Sequence, residues 1–221
     1  MIDRPTWDWE FARECFPDVL HAFLTYTLGI TAASSVLAIL LGLLLALGRR
    51  SHVRPLSIGV GWMIEFVRST PIPMQLFFVY FGLASTGIRL SGVVTGVLVF
   101  GVHYACYMSE VYRAGIEAIP KGQWEACTAL SLSPARTWRR VVLPQVVRRI
   151  LPSVGNQVIA LFKETPFLVV IGVTDMVTKA YDLGGDRLRY TEPVTIAGVI
   201  FLLASYPTSV LMRKLENRLA H

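Results

Sequence analysis

The stretch GQWEACTALSLSPARTWRRVVLP, residues 122–144, is the longest polar, amphipathic interruption in an otherwise apolar chain. It follows Ile119-Pro120-Lys121 and ends where the next apolar run begins. Two short helices fit it. The first covers residues 123–130 and is broken by Ser131-Leu132-Ser133. Ser133 suits an N-cap and Pro134 the first helical position, where its missing N–H costs nothing. The second covers residues 135–142, with Arg136, Arg139 and Arg140 outward and Trp138, Val141 and Val142 inward. Leu143-Pro144 is expected to end it. Such a pair, set between membrane spans, reads as a docking surface for a partner. It is too small for a domain and too apolar on one side for a tether.

Outward from that stretch the composition is that of a membrane protein. Of 221 residues, 53% are hydrophobic and 16% charged, with a mean hydropathy of +0.53. A water-soluble domain carries about 25% charged residues. The length accommodates roughly five or six spans of ~20 residues plus loops. In such a chain the net charge of +6 bears on loop orientation rather than on nucleic acid. Cys15, Cys106 and Cys127 fall in different regions without metal-site spacing, so neither a metal site nor a disulfide framework is expected. The segment before the first apolar run is acidic (Asp3, Asp8, Glu10, Glu14, Asp18), whereas a cleavable signal peptide starts basic.

An all-α protein with five transmembrane helices is expected, the spans falling at residues 19–47, 56–83, 92–111, 151–173 and 193–211. Residues 1–18, with Trp7, Trp9, Phe11 and Phe16, read as a short amphipathic lead-in helix at the membrane interface. Residues 174–192 read as a longer polar loop. One set of loops, around Arg49 and Arg50, residues 113–149 and the C-terminal tail, carries about twice the Lys and Arg of the other. That side is expected to be cytoplasmic, which puts the N-terminus out, the C-terminus in, and residues 122–144 in the cytoplasm. No internal repeat is visible, so residues 1–221 read as one domain.

Charged residues inside spans are costly, at least ~2.5–3.5 kcal/mol each at mid-bilayer, and they are paired or face water. Glu65 and Arg68 share one helix face at three-residue spacing. Either a structural ion pair or a cavity lining accounts for them. Pro71 and Pro73 interrupt the helix beyond Thr70, and Gln75 follows Pro71 at helical spacing; interrupted helices expose backbone groups to a cavity. His103 and Tyr107 share a face in the third span. A packed, hydrogen-bonded histidine and a cavity-facing one both fit. In the fourth span Lys163 and Glu164 precede Thr165 and Pro166, a proline expected to kink the helix. Lys163 and Glu164 are adjacent and point in different directions, so an interspan network with Glu65 and Arg68 is expected. Gly92-x-x-x-Gly96 permits close helix approach, with ordinary intramolecular packing as the simpler account.

Two of these stretches carry a family resemblance. Residues 122–144 resemble the cytoplasmic Glu-Ala-Ala loop of inner-membrane subunits of binding-protein-dependent ABC importers. Glu125-Ala126-Cys127, Ser131 and Val141-Val142-Leu143-Pro144 keep that pattern's spacing, with Cys127, Ser131 and Val141 replacing Ala, Gly and Ile. Glu65, Arg68-Ser69-Thr70-Pro71, Gln75-Leu76-Phe77 and Tyr80-Phe81-Gly82 resemble a block of the polar amino acid subfamily, with Ser69 for Gly. Lys163-Glu164-Thr165-Pro166 resembles its Lys-Asp-Thr-Ser run, with Glu164 and Pro166 departing. With the opening Trp7-Asp8-Trp9-Glu10-Phe11, the set looks most like permeases for ectoine and hydroxyectoine.

The resemblance implies a type I ABC importer permease in a bacterial inner membrane. It implies a second permease subunit, identical or related, two cytoplasmic ATP-binding subunits and an external solute-binding protein. Gly122, Glu125, Ala126, Leu130, Ser131, Leu143 and Pro144 would couple to the ATPase. Glu65, Arg68, Thr70, Pro71, Gln75, His103, Tyr107, Lys163, Glu164 and Thr165 would line the solute path. The chain has no G-x-x-x-x-G-K-[ST] phosphate loop, so ATP and Mg²⁺ are expected on the partners and no cofactor on this chain. H-E-x-x-H, C-x-x-C and G-x-S-x-G are also absent from the sequence, which disfavours an enzyme. The rival reading is a secondary transporter driven by an ion gradient, with Glu65, Arg68, Lys163 and Glu164 as coupling residues. It leaves the spacing of residues 122–144 unexplained.

Overall fold

A computed structural model of the chain describes residues 7–219. Asp3, used above to read the N-terminal segment, lies outside the described residues. Among the described residues the regular structure is entirely helical. The first helix, α1, runs unbroken from Trp9 to Arg49. Asp8 caps it, Oδ1 accepting from the N–H groups of Glu10 and Phe11 at 3.0 and 3.1 Å. At ~1.5 Å per residue it is roughly 60 Å long, twice a ~30 Å hydrocarbon core. The lead-in helix and the first span are therefore one rod. A widened π turn at Phe23–Thr27 marks the junction, and there Thr27 Oγ1 accepts from the Met176 N–H at 3.1 Å.

The second expected span is two helices, α2 (Arg54–Arg68) and α3 (Ile72–Ser85). Pro71 sits between them in an extended conformation, and Pro73 opens α3. Helix α4 (Gly92–Glu117) is continuous. It packs against the second half of α1 so closely that a Cβ on Gly42 would stand 2.6 Å from Met108 Cβ and 2.9 Å from the Ala105 carbonyl oxygen. Gly92 and Gly96 pack against Val173 and Leu168 of the same chain, as the simpler account expects.

Helix α5 (Lys121–Ala129) is the first helix of the amphipathic stretch. The second does not end at Pro144. It continues as α6 (Pro134–Ile171), a single rod of 38 residues. Proline within a helix removes one hydrogen bond and collides with the carbonyl four residues back. Here the widened turn Thr137–Val142 directly precedes Pro144 and opens the ladder where the ring needs room. At Pro166, where a kink is expected, Thr165–Ile171 tightens to a 3₁₀ helix, which Gly172 ends with φ +70°.

The expected loop 174–192 contains a helix, α7 (Met176–Asp186), capped by Asp175. The last helix is α8 (Thr191–Leu219). Among the described residues four helices, within α1, α4, α6 and α8, are long and apolar enough to cross a membrane, and the broken α2–α3 pair stands beside them. One core joins α1, α3, α4 and α6 through Ile30, Ala38, Leu76, Phe100, Met108 and Leu161. A second joins the first part of α1 to α6, α7 and α8 through Val19, Phe23, Phe162, Met176 and Ala197. The three cysteines are buried and unbonded to each other.

Candidate functional site

Two groups of residues stand out, one on the α5–α6 module and one beside the broken helix. The module is held to the body from within. Trp124 of α5 and Trp138 of α6 meet edge to face with centroids 5.5 Å apart. Ile119, Val142 and Val146 form a small core beneath them. Gln145 Nε2 donates to Gln123 Oε1 at 3.2 Å, and Arg149 donates to the Ala118 carbonyl at 2.6 Å. Cys127, where the pattern has Ala, is buried.

What the module turns outward is its other face. Gly122, Glu125, Ala126, Leu130, Ser131, Leu143 and Pro144 are all exposed, Leu130 at 73%. Arg136, Arg139 and Arg140 are outward as expected, but Trp138 is not enclosed and remains 36% exposed. Ser133 occupies the N-cap position without a side-chain hydrogen bond.

The α5–α6 joint is a Schellman turn. The Leu132 N–H donates to the Cys127 carbonyl at 3.0 Å and the Ser131 N–H to Thr128 at 2.9 Å. Ser131 therefore takes φ +51°. The glycine of the family pattern fits this geometry without strain, and Ser131 holds it at a cost.

Beside the α2–α3 break, Gln75 holds the two helix ends together. Its Nε2 shares its protons between the Val67 and Thr70 carbonyls, at 2.8 and 2.9 Å, and His103 Nδ1 of α4 at 3.1 Å. It supplies partners to carbonyls that the end of α2 leaves open. The His103 ring lies 5.3 Å from Tyr107, and the Arg68 guanidinium stands 4.8 Å over the Tyr107 ring. Arg68 also reaches Glu65 at 3.6 Å, and Glu65 lies 4.0 Å from Arg49. Arg68 Nε is enclosed without a hydrogen-bond partner among the described residues.

The expected four-residue network does not form. Glu164 Oε2 accepts from the Tyr104 hydroxyl at 2.7 Å instead. Lys163 is exposed on an apolar groove between α6, α7 and α8 and makes no ion pair among the described residues. Thr165 is fully buried, its hydroxyl turned back to the Phe162 carbonyl, and Thr70 turns back to Phe66. Glu65, Arg68, Gln75, His103 and Tyr107 are thus brought together near Thr70 and Pro71, Glu164 joins through Tyr104, and Lys163 stands apart. Tyr104, three residues before Tyr107, lies on the same face of α4. Arg49 was read only as a loop charge, yet it bonds Glu110, which Arg113 also grips at 2.7 Å.

Long apolar helices, a broken helix lined with polar groups and an exposed two-helix module define a multi-pass membrane transport subunit. The chain belongs to the family of binding-protein-dependent transport system inner membrane components, whose sequence profile matches residues 38–221. It is a permease subunit of ABC importer type and not an enzyme. A probable amino-acid ABC transporter permease of Sinorhizobium fredii is 36% identical over 219 residues, covering 97% of this chain and 94% of that one. The arginine transport system permease ArtQ of Bacillus subtilis is 35% identical, covering 88% and 91%. The L-cystine permease TcyB of the same organism is 31% identical, covering 96% and 93%. Among solved structures, an amino acid ABC transporter crystallised with histidines superposes with a TM-score of 0.90 at 31% identity, over 97% of this chain and all of the other. An inward-facing methionine transporter, MetNI, superposes at 0.73 with 19% identity and shares the fold.

Proposed function

We propose that this subunit forms half of the path by which an ATP-driven importer carries a polar amino acid, or a related small zwitterion, into the cytoplasm. The observation that carries the proposal is the continuity of α6. One rod, α6, joins the exposed module to the membrane core, so force applied at Glu125 and Leu130 passes through the Trp124–Trp138 contact and the tight α5–α6 turn into α6 and reaches Glu164 without crossing a further loop. The module faces the cytoplasm, in keeping with the excess of Lys and Arg at that end. Two ATP-binding subunits, which hold the ATP and Mg²⁺, grip two such modules, one on this chain and one on an identical or related permease. Their closure draws the modules together and turns the cavity from one side of the membrane to the other. An external solute-binding protein delivers the solute.

The amino-acid class is supported by the amino-acid, arginine and L-cystine permeases among the relatives and by the polar groups at the break. The Arg68 guanidinium, in a side chain about one third exposed, offers a cation to a carboxylate, where charge-assisted bonds are strong. Tyr107 and Glu65 flank it, with an aromatic face and a carboxylate for an amino group. No residue in this cluster singles out ectoine; it joins the ligands to be compared.

The test uses the complete assembly in proteoliposomes. Glu125→Ala leaves assembly and ATP hydrolysis in place and abolishes uptake; uptake at the wild-type rate contradicts the proposal. Calorimetry of the cognate binding protein against arginine, cystine, glutamine and ectoine identifies the solute, and binding of a sugar or metal ion alone would contradict the class.

A further inference from the structure

An apolar groove of about 440 Å³ runs between the second half of α1 and the first half of α6. Its floor is Ala46, Tyr112 and Val146, all buried, and its rim is Leu43, Leu47 and Val147, exposed by 46–59%. Arg50 and Trp138 line its end nearest the module. Arg50 also lines a second, polar cleft of about 710 Å³, with Arg49, Arg113, Glu65 and Glu117. The two cavities therefore meet at one side chain, polar on one side of it and apolar on the other. Arg49 and Arg113 are engaged by Glu110 and Glu117. Arg50 is exposed and has no carboxylate partner among the described residues.

We infer that this pair of cavities binds one anionic phospholipid of the inner leaflet, its phosphate on Arg50 and one acyl chain along the groove. Three observations select that occupant. From Ile39 to Arg50, α1 rises roughly 16 Å, the depth of one leaflet of a ~30 Å core. The charge sits only at the end of the groove by the module, and polarity falls along its length, as it does along a lipid. A single unpaired cation matches a ligand of one negative charge, and basic sites between helices on the cytoplasmic side favour anionic headgroups. Trp138 closes the mouth with an amphipathic ring suited to the headgroup level.

The site joins the rod that carries motion from the module to the helix on which it slides. A lipid wedged there bears on how easily α6 moves against α1. This role, unlike the binding itself, rests on the proposed coupling function, so the test reads binding directly.

The full chain, purified in a non-ionic detergent, is titrated with phosphatidylglycerol or phosphatidylcholine, and bound lipid is counted by native mass spectrometry. Wild type retains one phosphatidylglycerol and less phosphatidylcholine. Arg50→Gln weakens retention of phosphatidylglycerol about fivefold, the share of one surface arginine. Val147→Trp fills the groove from its rim and weakens both lipids. Arg54→Gln, at the start of α2 and outside both cavities, changes neither and guards against a general loss of charge. Equal retention by wild type, Arg50→Gln and Val147→Trp overturns the inference. So does a wild-type chain that binds no lipid but dimerises through the groove, which Val147→Trp would then disrupt.

Discussion

The Tyr104 hydroxyl donates to Glu164 Oε2 at 2.7 Å, tying α4 to α6 just before α6 tightens into its last turns. The bond settles the partner of a carboxylate that sequence alone leaves open. Tyr104 is 4% exposed, so its removal strands Glu164 in a half-buried site. A hydrogen bond to a charged group contributes about 1.5–3 kcal/mol. Tyr104→Phe is therefore expected to destabilise the chain by roughly 2 kcal/mol, and Glu164→Gln by less, since the amide oxygen still accepts. Thermal unfolding in detergent measures both; equal losses would show that charge, not the bond, sets the stability here.

Ser131 pays for the α5–α6 turn with a left-handed backbone that costs a non-glycine residue roughly 1–2 kcal/mol. Ser131→Gly should stabilise the chain by about 1 kcal/mol, and Ser131→Val should destabilise it, because a β-branched residue tolerates positive φ least. Tm in detergent is the readout. The turn keeps its two backbone hydrogen bonds in the glycine variant, so ATPase docking should persist.

Gly42 marks the closest approach of α1 and α4. A methyl group there meets both Met108 Cβ and a backbone carbonyl oxygen, neither of which rotates away. Gly42→Ala is expected to cost about 1–3 kcal/mol by overpacking. Gly29→Ala, where nothing lies within 4 Å, should be neutral or slightly stabilising through its better helix propensity. Comparable melting losses in the two variants would contradict this crossing geometry.

Much of this was legible in the sequence, and the reasons it stopped are physical. Pro134, the Ser131 turn and the arginine spacing define the α5–α6 module because they act locally, within one helical turn. Pro71 and Pro73 announce the α2–α3 break for the same reason. Pro144 misleads because a helix can absorb a proline by widening the turn before it, and that option depends on packing around Thr137 and Val142. The pairing of Glu164 with Tyr104, rather than with Glu65 or Arg68, depends on where α4 lands on α6. Adjacent charges at Lys163 and Glu164 give no hint of it. Helix α7 was hidden by its Gly184-Gly185 and scattered charges, which resemble a loop until Asp175 is seen to cap it.

Asp175 supplies a dependence on pH. It is fully buried between α6 and α7, with Oδ1 accepting from the Thr178 N–H and hydroxyl at 2.9 and 2.7 Å. Oδ2 has no partner among the described residues. Burial pushes the carboxyl above its ordinary range, against the pull of the Thr178 hydrogen bonds. A raised value means that the folded chain holds the proton more tightly than the unfolded chain. The group's contribution to stability is then present below the ordinary carboxylate range and is lost as pH rises through the shifted value. Asp175→Asn keeps the cap and removes the titration, so its Tm should change less than that of wild type from about pH 4 to pH 7. Parallel pH profiles would place the dominant titration elsewhere. The same variant leaves the module and the polar cluster untouched, so solute uptake at neutral pH should remain near wild type.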